Sequence, residues 1–337
     1  MQKFTKRLID VTGMRDIIQR RIPVMTLDSR KSGPVVWLTG CIHGDEPGGA
    51  VVIQDVFKEL RRSGLDCGVL HALPLINSTG FENVSRYINT DREDLNRCFP
   101  GNEKGTMGER IAKRIFDLIA ETGPDLVVDL HNDWIQSVPY VVLEPRSHFR
   151  NASQHRRTIR NAAAANLLMV QESDTDDTLS HTLTGALIAR GFSAFTVEAG
   201  GACGIVERSI KSGRVAILGV LQALGMARAG ASGTVRARAV DRVYDYTNRP
   251  LCTSSGIIRF SVAPGDSVKA NQELGCVYSA FGSVEESLRA ARPGYVLGVS
   301  DHARALPGTE VIALAEFEMT PGEQGISERP PGPTSIH

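Results

Sequence analysis

The sequence lacks an excess of either charge, a long apolar run and a secretion signal. Its 38 Lys and Arg residues balance its 38 Asp and Glu residues. Balanced charge argues against nucleic acid or a membrane as a partner, because such partners usually require a basic excess. No stretch approaches the roughly 20 apolar residues of a membrane span, and the polar first residues lack a signal-peptide core. We therefore expect a cytoplasmic protein with no nucleic-acid or membrane partner.

The sequence also lacks closely spaced cysteine pairs. Its six cysteines are scattered, and no two of them form a CxxC motif. Scattered cysteines in a chain without a signal favour reduced thiols over a disulfide framework. Cys41, Cys98 and Cys203 lie close in sequence to the candidate site residues described below. They are either small buried hydrophobic residues or part of the pocket lining, and the sequence does not decide between the two.

Predicted strands and helices alternate through the first two thirds of the chain. The apolar run 34–38 has strand length and is followed by an apolar stripe at helical spacing, and further runs of strand length, such as 126–130, recur between predicted helices. Thr106 and Glu109 have the spacing of a capping box, which predicts the start of a helix. The alternation predicts that residues 1–228 form an α/β domain, with helices on both faces of a mixed sheet.

The sequence changes character after residue 228. Between 234 and 318, short apolar runs are separated by glycine turns, which predicts a small all-β domain. The run 262–275 resembles half of a lipoyl- or biotinyl-type β-sandwich. Because no lysine lies at the matching hairpin tip, we interpret this domain as a structural relative and not as a carrier. Residues 319–337, rich in Pro, Gly and Ser, are expected to be disordered.

A histidine and a glutamate follow the first predicted buried strand. His43 and Glu46 lie three residues apart, between the strand at 34–38 and an apolar stripe that begins at Ala50. Ligands usually bind where the strands of an α/β sheet end. This histidine and this carboxylate can both bind one zinc ion. A surface histidine beside a solvated glutamate is the alternative.

Two more predicted strands end in residues of the same kind. His131 follows the strand at 126–130, and Glu198 follows an apolar run and precedes two glycines. Two histidines and one glutamate with an open fourth position are typical of hydrolytic zinc sites, where the metal lowers the pKa of water. Glu198 is then available as the general base. A buried core histidine is the alternative for His131, whereas a buried Glu198 is costly unless it is used or paired.

Other polar residues are candidates for supporting roles. Arg86 and Arg97 lie in a long loop, and an arginine binds a carboxylate through two parallel hydrogen bonds, although most loop arginines are simply solvated. Asp129 shares a strand face with His131 and either orients that imidazole or forms a salt bridge elsewhere. His181 either faces the pocket or is an ordinary histidine at a helix start.

Five short motifs in this order resemble the succinylglutamate desuccinylase/aspartoacylase family, which is related to the zinc carboxypeptidases. The motifs are Gly40-x-x-His43-Gly44-Asp45-Glu46, Arg86-Tyr87-Ile88, Asp94-Leu95-Asn96-Arg97, Asp129-Leu130-His131 and Val197-Glu198-Ala199-Gly200.

The resemblance covers roughly residues 20–228 and implies one zinc ion per chain. It implies His43, Glu46 and His131 as the zinc ligands. It also implies Glu198 as general base, Arg86 as the group that stabilises the oxyanion, and Asn96 with Arg97 as the anchor of the substrate carboxylate. The spacing from Arg86 to Asn96 is about three residues longer than in aspartoacylase.

The resemblance therefore implies a zinc-dependent amidohydrolase that removes an N-acyl group from a small-molecule amino acid substrate. Aspartoacylase-like members carry an extra arginine roughly ten residues before the general base. In this chain Arg190 is the one arginine in the twenty residues before Glu198, and it reads as the end of a helix. We therefore expect a neutral or basic amino acid in place of aspartate. Asp174, Asp176 and Asp177, just upstream of the predicted helix that bears His181, are the candidates to help receive an amino group.

Two alternatives remain open at this stage. A carboxypeptidase-like peptide hydrolase would use the same residues, and a metal-free binding protein would keep the fold without the chemistry. The presence of every ligand and of Glu198 argues against the binding protein. The sequence does not decide between a monomer and a homo-oligomer.

Overall fold

The computed structural model describes residues 2–11, 20–228 and 242–317. The predicted disordered tail at 319–337 lies outside the described residues. The helices are α1 (Gly48–Ser63), α2 (Ser78–Glu82), α3 (Met107–Ala120), α4 (Ala152–Ala163), α5 (Leu183–Arg190) and α6 (Glu207–Ala223). The strands of the first part are β1 (Lys3–Asp10), β2 (Arg21–Asp28), β3 (Val35–Gly40), β4 (Val69–Leu73), β5 (Leu126–His131), β6 (Tyr140–Leu143), β7 (Leu168–Gln171) and β8 (Ala194–Glu198). The later strands are β9 (Val243–Thr247), β10 (Gly256–Phe260), β11 (Ser267–Val268), β12 (Glu273–Tyr278), β13 (Val284–Arg289), β14 (Gly294–Val299), β15 (Arg304–Ala305) and β16 (Ile312–Glu316).

Within the described ranges, twelve strands form one mixed sheet. Their order is β1-β2-β4-β3-β5-β8-β6-β7-β9-β16-β14-β11. Strands β4, β3, β5 and β8 run parallel to one another, whereas β6 pairs antiparallel with β8. Strands β3, β5 and β8 therefore end at the same edge of the sheet, where the candidate residues were predicted to meet.

Helices cover both faces of the central strands. Val36 and Leu38 of β3 belong to one buried core together with residues of α1, α4 and α6. Trp37, which lies between them, belongs to a second core with residues of α3 and α5. Successive side chains of a strand point to opposite faces. The predicted mixed sheet with helices on both faces is confirmed.

Local sequence signals explain where some helices begin. Thr106 accepts a hydrogen bond from the backbone N–H of Glu109, and the Glu109 carboxylate accepts one from the N–H of Thr106. This reciprocal pair satisfies two donors that a helix start leaves unpaired. The predicted capping box of α3 is confirmed.

The strands after residue 242 contribute to two sheets. Strands β10, β12, β13 and β15 form a second sheet, which shares an apolar core with β14 and β16. Strand β9 pairs with β7, so β9, β16, β14 and β11 continue the large sheet. A separate lipoyl-like domain over 234–318 stays a prediction, and residues 234–241 and 318 lie outside the described ranges. No helix in the described part of the chain is long and apolar enough to cross a membrane.

Candidate metal site

The first two candidate ligands lie in the turn between β3 and α1. The backbone N–H of Glu46 donates to the carbonyl of His43 at 3.2 Å, which closes the turn. Gly44 lies against the backbone of Gly80, where a Cβ atom would collide. Glycine at this position therefore lets α2 lie directly against the turn.

The three predicted metal ligands come together in one buried group. Potential ligand atoms of His43, Glu46 and His131 all lie within 4.8 Å of one another. Nδ1 of His43 is 2.7 Å from one oxygen of Glu46, and Nδ1 of His131 is 2.9 Å from the other. The two Nδ1 atoms and the carboxylate thus face a common point.

Carboxylates hold the opposite nitrogens of both imidazoles. Nε2 of His131 is 2.9 Å from Asp129, which also accepts a 2.6 Å hydrogen bond from the Thr39 hydroxyl. Nε2 of His43 is 3.2 Å from Asp94. Such partners fix the orientation of metal-ligating histidines. Of the two alternatives that the sequence left open for Asp129, the structure has the contact with His131.

The contact of Asp94 with His43 was not predicted from the sequence. It lies in the loop before a short 3₁₀ helix, Leu95–Arg97, and caps that helix by accepting from the N–H of Asn96 at 2.9 Å. Its proximity to His43, 51 residues earlier, depends on how the loop folds back over the sheet. The local signal was the N-cap spacing of Asp94 and Asn96.

The charges of this group support one another. Burial alone would raise the pKa of Glu46, but the charges of His43 and His131 hold it well below its usual value. Burial alone would lower the pKa of His131, but the negative charges of Asp129 and Glu46 hold it well above its usual value. Each imidazole thus lies beside carboxylates, and their negative charge stabilises positive charge at this site.

Glu198 lies directly beside this group. The pairing of β5 with β8 sets Glu198 opposite His131, and the pairing of β6 with β8 sets Tyr140 on its other side. One carboxylate oxygen, Oε2, is buried and accepts no hydrogen bond from the described residues. Burial raises the pKa of Glu198 well above its usual value. An unpartnered buried carboxylate of raised pKa is typical of a group that exchanges a proton.

Arg86, in the long loop before α3, lies next to His43 and Glu46. Its Nε and Nη2 atoms each lie 2.9 Å from one oxygen of Asp94. Its Nη1 atom lies 3.3 Å from Nδ1 of His43 and 3.7 Å from Glu46. Asp94 therefore fixes both His43 and Arg86, which brings a permanent positive charge to the common point.

The other predicted contact residues lie farther along the same loop. Asn96 is buried, and its side-chain oxygen accepts from the N–H of Leu183 at the start of α5. Arg97 is exposed and donates to the carbonyl of Asn96. His181 is also exposed, and its Nδ1 lies 3.1 Å from the carbonyl of Phe99. The roles assigned to these three residues remain predictions.

Asn132 is a second residue that sequence reasoning missed. Its N–H donates to Glu46 at 3.1 Å, and its buried side chain bonds the N–H of Gly49 and the carbonyl of Gly200. One residue thus links a candidate ligand, the start of α1 and the turn after Glu198. Its position next to His131 was the available signal.

The three cysteines near the site differ in exposure. Cys41 is buried, Cys98 is half-buried and Cys203 is exposed. Burial raises the pKa of Cys41 and of Cys98 to about 12. Both therefore remain protonated and weakly nucleophilic near neutral pH. Whether one of them lines the pocket stays a prediction.

The donor set fits a metal ion that prefers nitrogen and oxygen ligands. Two imidazole nitrogens and one carboxylate converge, and their outer atoms are already held by Asp129 and Asp94. Glu198 supplies a further carboxylate at the edge of the group. A site of this composition is compatible with a metal ion and with hydrolytic chemistry.

The chain belongs to the succinylglutamate desuccinylase/aspartoacylase family. Residues 32–224 match the model of the succinylglutamate desuccinylase/aspartoacylase catalytic domain. The chain is also similar to the N-alpha-acetyl-L-2,4-diaminobutyric acid deacetylase of Halomonas elongata. The two are 27% identical over 308 residues, which cover 88% of this chain and 85% of the relative.

Solved structures share the fold. A succinylglutamate desuccinylase/aspartoacylase from Rhodobacter sphaeroides superposes with a TM-score of 0.76 at 22% identity, over 94% of this chain and 96% of that one. A metallo-carboxypeptidase from Burkholderia cenocepacia superposes with a TM-score of 0.53 at 16% identity, over 65% of each chain. Part of the fold is thus shared with this metallo-carboxypeptidase as well.

Proposed function

We propose that this protein is a zinc-dependent amidohydrolase that removes the N-acyl group of a small amino acid derivative. The observation that carries the proposal is the buried group of His43, Glu46 and His131 with Glu198 beside it. Membership of the family and similarity to a named deacetylase support the reaction class.

We assign the metal to His43, Glu46 and His131, with one zinc ion per chain. The two Nδ1 atoms and the Glu46 carboxylate are the ligands, because Asp94 and Asp129 occupy the Nε2 atoms. When bound, zinc would lower the pKa of water and polarise the scissile carbonyl.

The remaining residues have distinct tasks in the reaction. Glu198 takes a proton from the attacking water and passes it to the departing amine, as a general base and then acid. Burial raises the pKa of Glu198 well above its usual value, which makes the carboxylate a stronger proton acceptor than an exposed glutamate. Arg86 donates hydrogen bonds to the oxygen of the carbonyl under attack, where negative charge develops. Asn96 and Arg97, with His181 at the edge, hold the substrate and its α-carboxylate.

The preferred amino acid is neutral or basic and not aspartate. Arg190 is exposed in the last turn of α5, where it complements the helix dipole. Arg97 is then left to bind the α-carboxylate. A second buried carboxylate without its own cation would cost several kcal/mol.

The receptor for a substrate amino group is Glu172, at the end of β7. Asp174 and Asp176 are exposed and already accept hydrogen bonds, Asp174 from the N–H of Ser147 and Asp176 from the N–H of Thr178 in its own turn. Glu172 is half-buried, whereas both of these aspartates are exposed. Burial and then the charge of Glu144 raise the pKa of Glu172 to about 7, whereas the nearby positive charge of Arg97 opposes this rise. A carboxylate close to the α-carboxylate anchor suits a diamino acid, the class that the name of the Halomonas elongata relative contains.

A panel of N-acyl amino acids tests the proposed reaction. Zinc-loaded protein is incubated with N-acetyl derivatives of aspartate, alanine and 2,4-diaminobutyrate, and the released amine is quantified. We expect the highest kcat/KM for the diamino acid and the lowest for aspartate. A higher kcat/KM for N-acetylaspartate would contradict the assigned preference.

Peptides belong in the same panel, because the fold extends to a metallo-carboxypeptidase. Release of a C-terminal residue from a peptide, without release of amine from any N-acyl amino acid, would replace deacylation with peptide hydrolysis. Release of no amine from either substrate class would reject both reactions.

A further inference from the structure

The segment 132–138 joins His131 to β6 and supports the candidate site through its backbone. The N–H of Asn132 donates to Glu46. The carbonyls of Asp133 and Trp134 accept from the N–H groups of Ala202 and Gly201, at 2.9 and 3.2 Å. The segment thus contacts a candidate ligand and also holds the turn that follows Glu198.

The C-terminal strands hold the other side of this segment. The N–H of Val138 donates to the carbonyl of Leu297 at 2.8 Å, and the N–H of Val299 donates to that of Gln136 at 3.0 Å. Ser137 forms an isolated bridge with Gly298. Strand β14 therefore extends its pairing onto the segment.

Asp301 completes this contact. Its two carboxylate oxygens accept from the successive N–H groups of Ile135 and Gln136, at 2.8 and 3.1 Å. The side chains of Ile135 and Gln136 are both exposed, and Ile135 is 53% accessible. Apolar packing therefore contributes little at this point, and hydrogen bonds to a charged acceptor hold the backbone.

We propose that Asp301 is a positioning residue of the active site. It fixes the backbone at Ile135 and Gln136, and so keeps the segment 132–138 in place against Glu46 and the turn after Glu198. The C-terminal strands then contribute to the active site, although Asp301 lies more than 160 residues after Ile135 and Gln136 in the sequence. The kinetic consequence rests on the proposed function, whereas the consequence for backbone protection does not.

Asp301→Ala tests the proposal, with Glu286→Ala as the matched control. Glu286, like Asp301, is half-buried. Its carboxylate accepts from two successive N–H groups, those of Thr253 and Ser254, both at 2.8 Å. It lies in β13 of the second sheet. The control therefore removes the same kind of contact at a distance from segment 132–138.

We expect Asp301→Ala to lose amide hydrogen-exchange protection over 132–138 and to lower kcat about tenfold, because small displacements near a reacting centre have large kinetic effects. KM should change by no more than about twofold, since the displaced groups act on the chemical step. Asp301→Asn, which keeps one acceptor oxygen, should recover part of kcat. Glu286→Ala should keep the wild-type kcat.

Unchanged exchange over 132–138 in Asp301→Ala would overturn the proposal. So would lost protection with an unchanged kcat, or an equal fall of kcat in Glu286→Ala. If the wild type hydrolyses no N-acyl amino acid, the proposed function fails and zinc affinity replaces kcat as the readout. Chelator competition should then show several-fold weaker zinc binding by Asp301→Ala, less than the roughly 10–100-fold loss typical of direct partners of ligands.

Discussion

Glu198 is the residue on which a catalytic interpretation depends. It is partly buried beside His131 and has an oxygen that accepts no hydrogen bond from the described residues. A structural carboxylate in this position would normally be paired, because burying it unpaired is costly. The raised pKa and the missing partner together favour a group that acts on substrate.

Glu198→Gln should keep zinc at one ion per chain and lower kcat by at least about 100-fold, since general acid–base catalysis contributes that much or more. The amide has the shape of the carboxylate but cannot take the proton. Elemental analysis and kcat are measured together, with Glu207→Gln, exposed at the start of α6, as the control. Loss of zinc from Glu198→Gln alone would make Glu198 a ligand and contradict the assignment.

Glu172→Gln should lower the preference for an N-acylated diamino acid over a neutral one about tenfold. Hydrogen bonds to charged groups contribute roughly 1.5–3 kcal/mol, and the amide removes the charge. Because the pKa of Glu172 is raised to about 7, the wild-type preference should weaken as the pH falls below 7 and the carboxyl takes up a proton.

The ratio of kcat/KM values for the two substrates, measured from pH 6 to 8, checks this expectation. Asp174→Asn, an exposed carboxylate in the following loop, serves as the control. A pH-independent preference in the wild type, or an equal loss in the control, would exclude Glu172 as the receptor.

At the scale of elements, the strongest local signal was the capping box of α3. Thr106→Ala should lower the free energy of unfolding by about 1 kcal/mol, because it removes the hydroxyl that accepts from the N–H of Glu109. Thr106→Ser keeps that acceptor and should remain near the wild type. Chemical denaturation measures both variants, and an equal effect of the two substitutions would show that the cap contributes nothing.

Sequence patterns predicted the buried central strands and missed the largely exposed strand β1. Strands β3, β5 and β8 are apolar runs, and their order along the chain put His43, His131 and Glu198 at strand ends. Strand β1 reads as a charged segment, because it lies at the edge of the sheet and pairs only with β2 within the described ranges. Its strand conformation depends on pairing with β2, which no local pattern reveals.

At the scale of the molecule, the contacts that sequence could not provide are those between distant segments. The contact between Asp94 and His43 and the hydrogen bond from the N–H of Ile135 to Asp301 depend on loops whose path has no periodic signal. The resemblance to a family identified the candidate ligands, but not the residues that hold them. Asp129 was already a candidate because it shares a strand face with His131, whereas Asp94 and Asp301 are polar groups in loops, where the same residue types also occur in contact with solvent alone.

Zinc should contribute to the stability of the whole molecule, because its ligands join the turn before α1 to the end of β5. A ligand that binds only the folded state at a thousand times its Kd stabilises it by about 4 kcal/mol. For a chain of this size we expect chelation to lower Tm by on the order of 10 °C. Calorimetry with and without a chelator measures the shift. His43→Ala, which lacks one ligand, should already have a lower Tm and should respond little to the chelator. An equal response of this variant and the wild type would mean that the stabilising metal binds elsewhere.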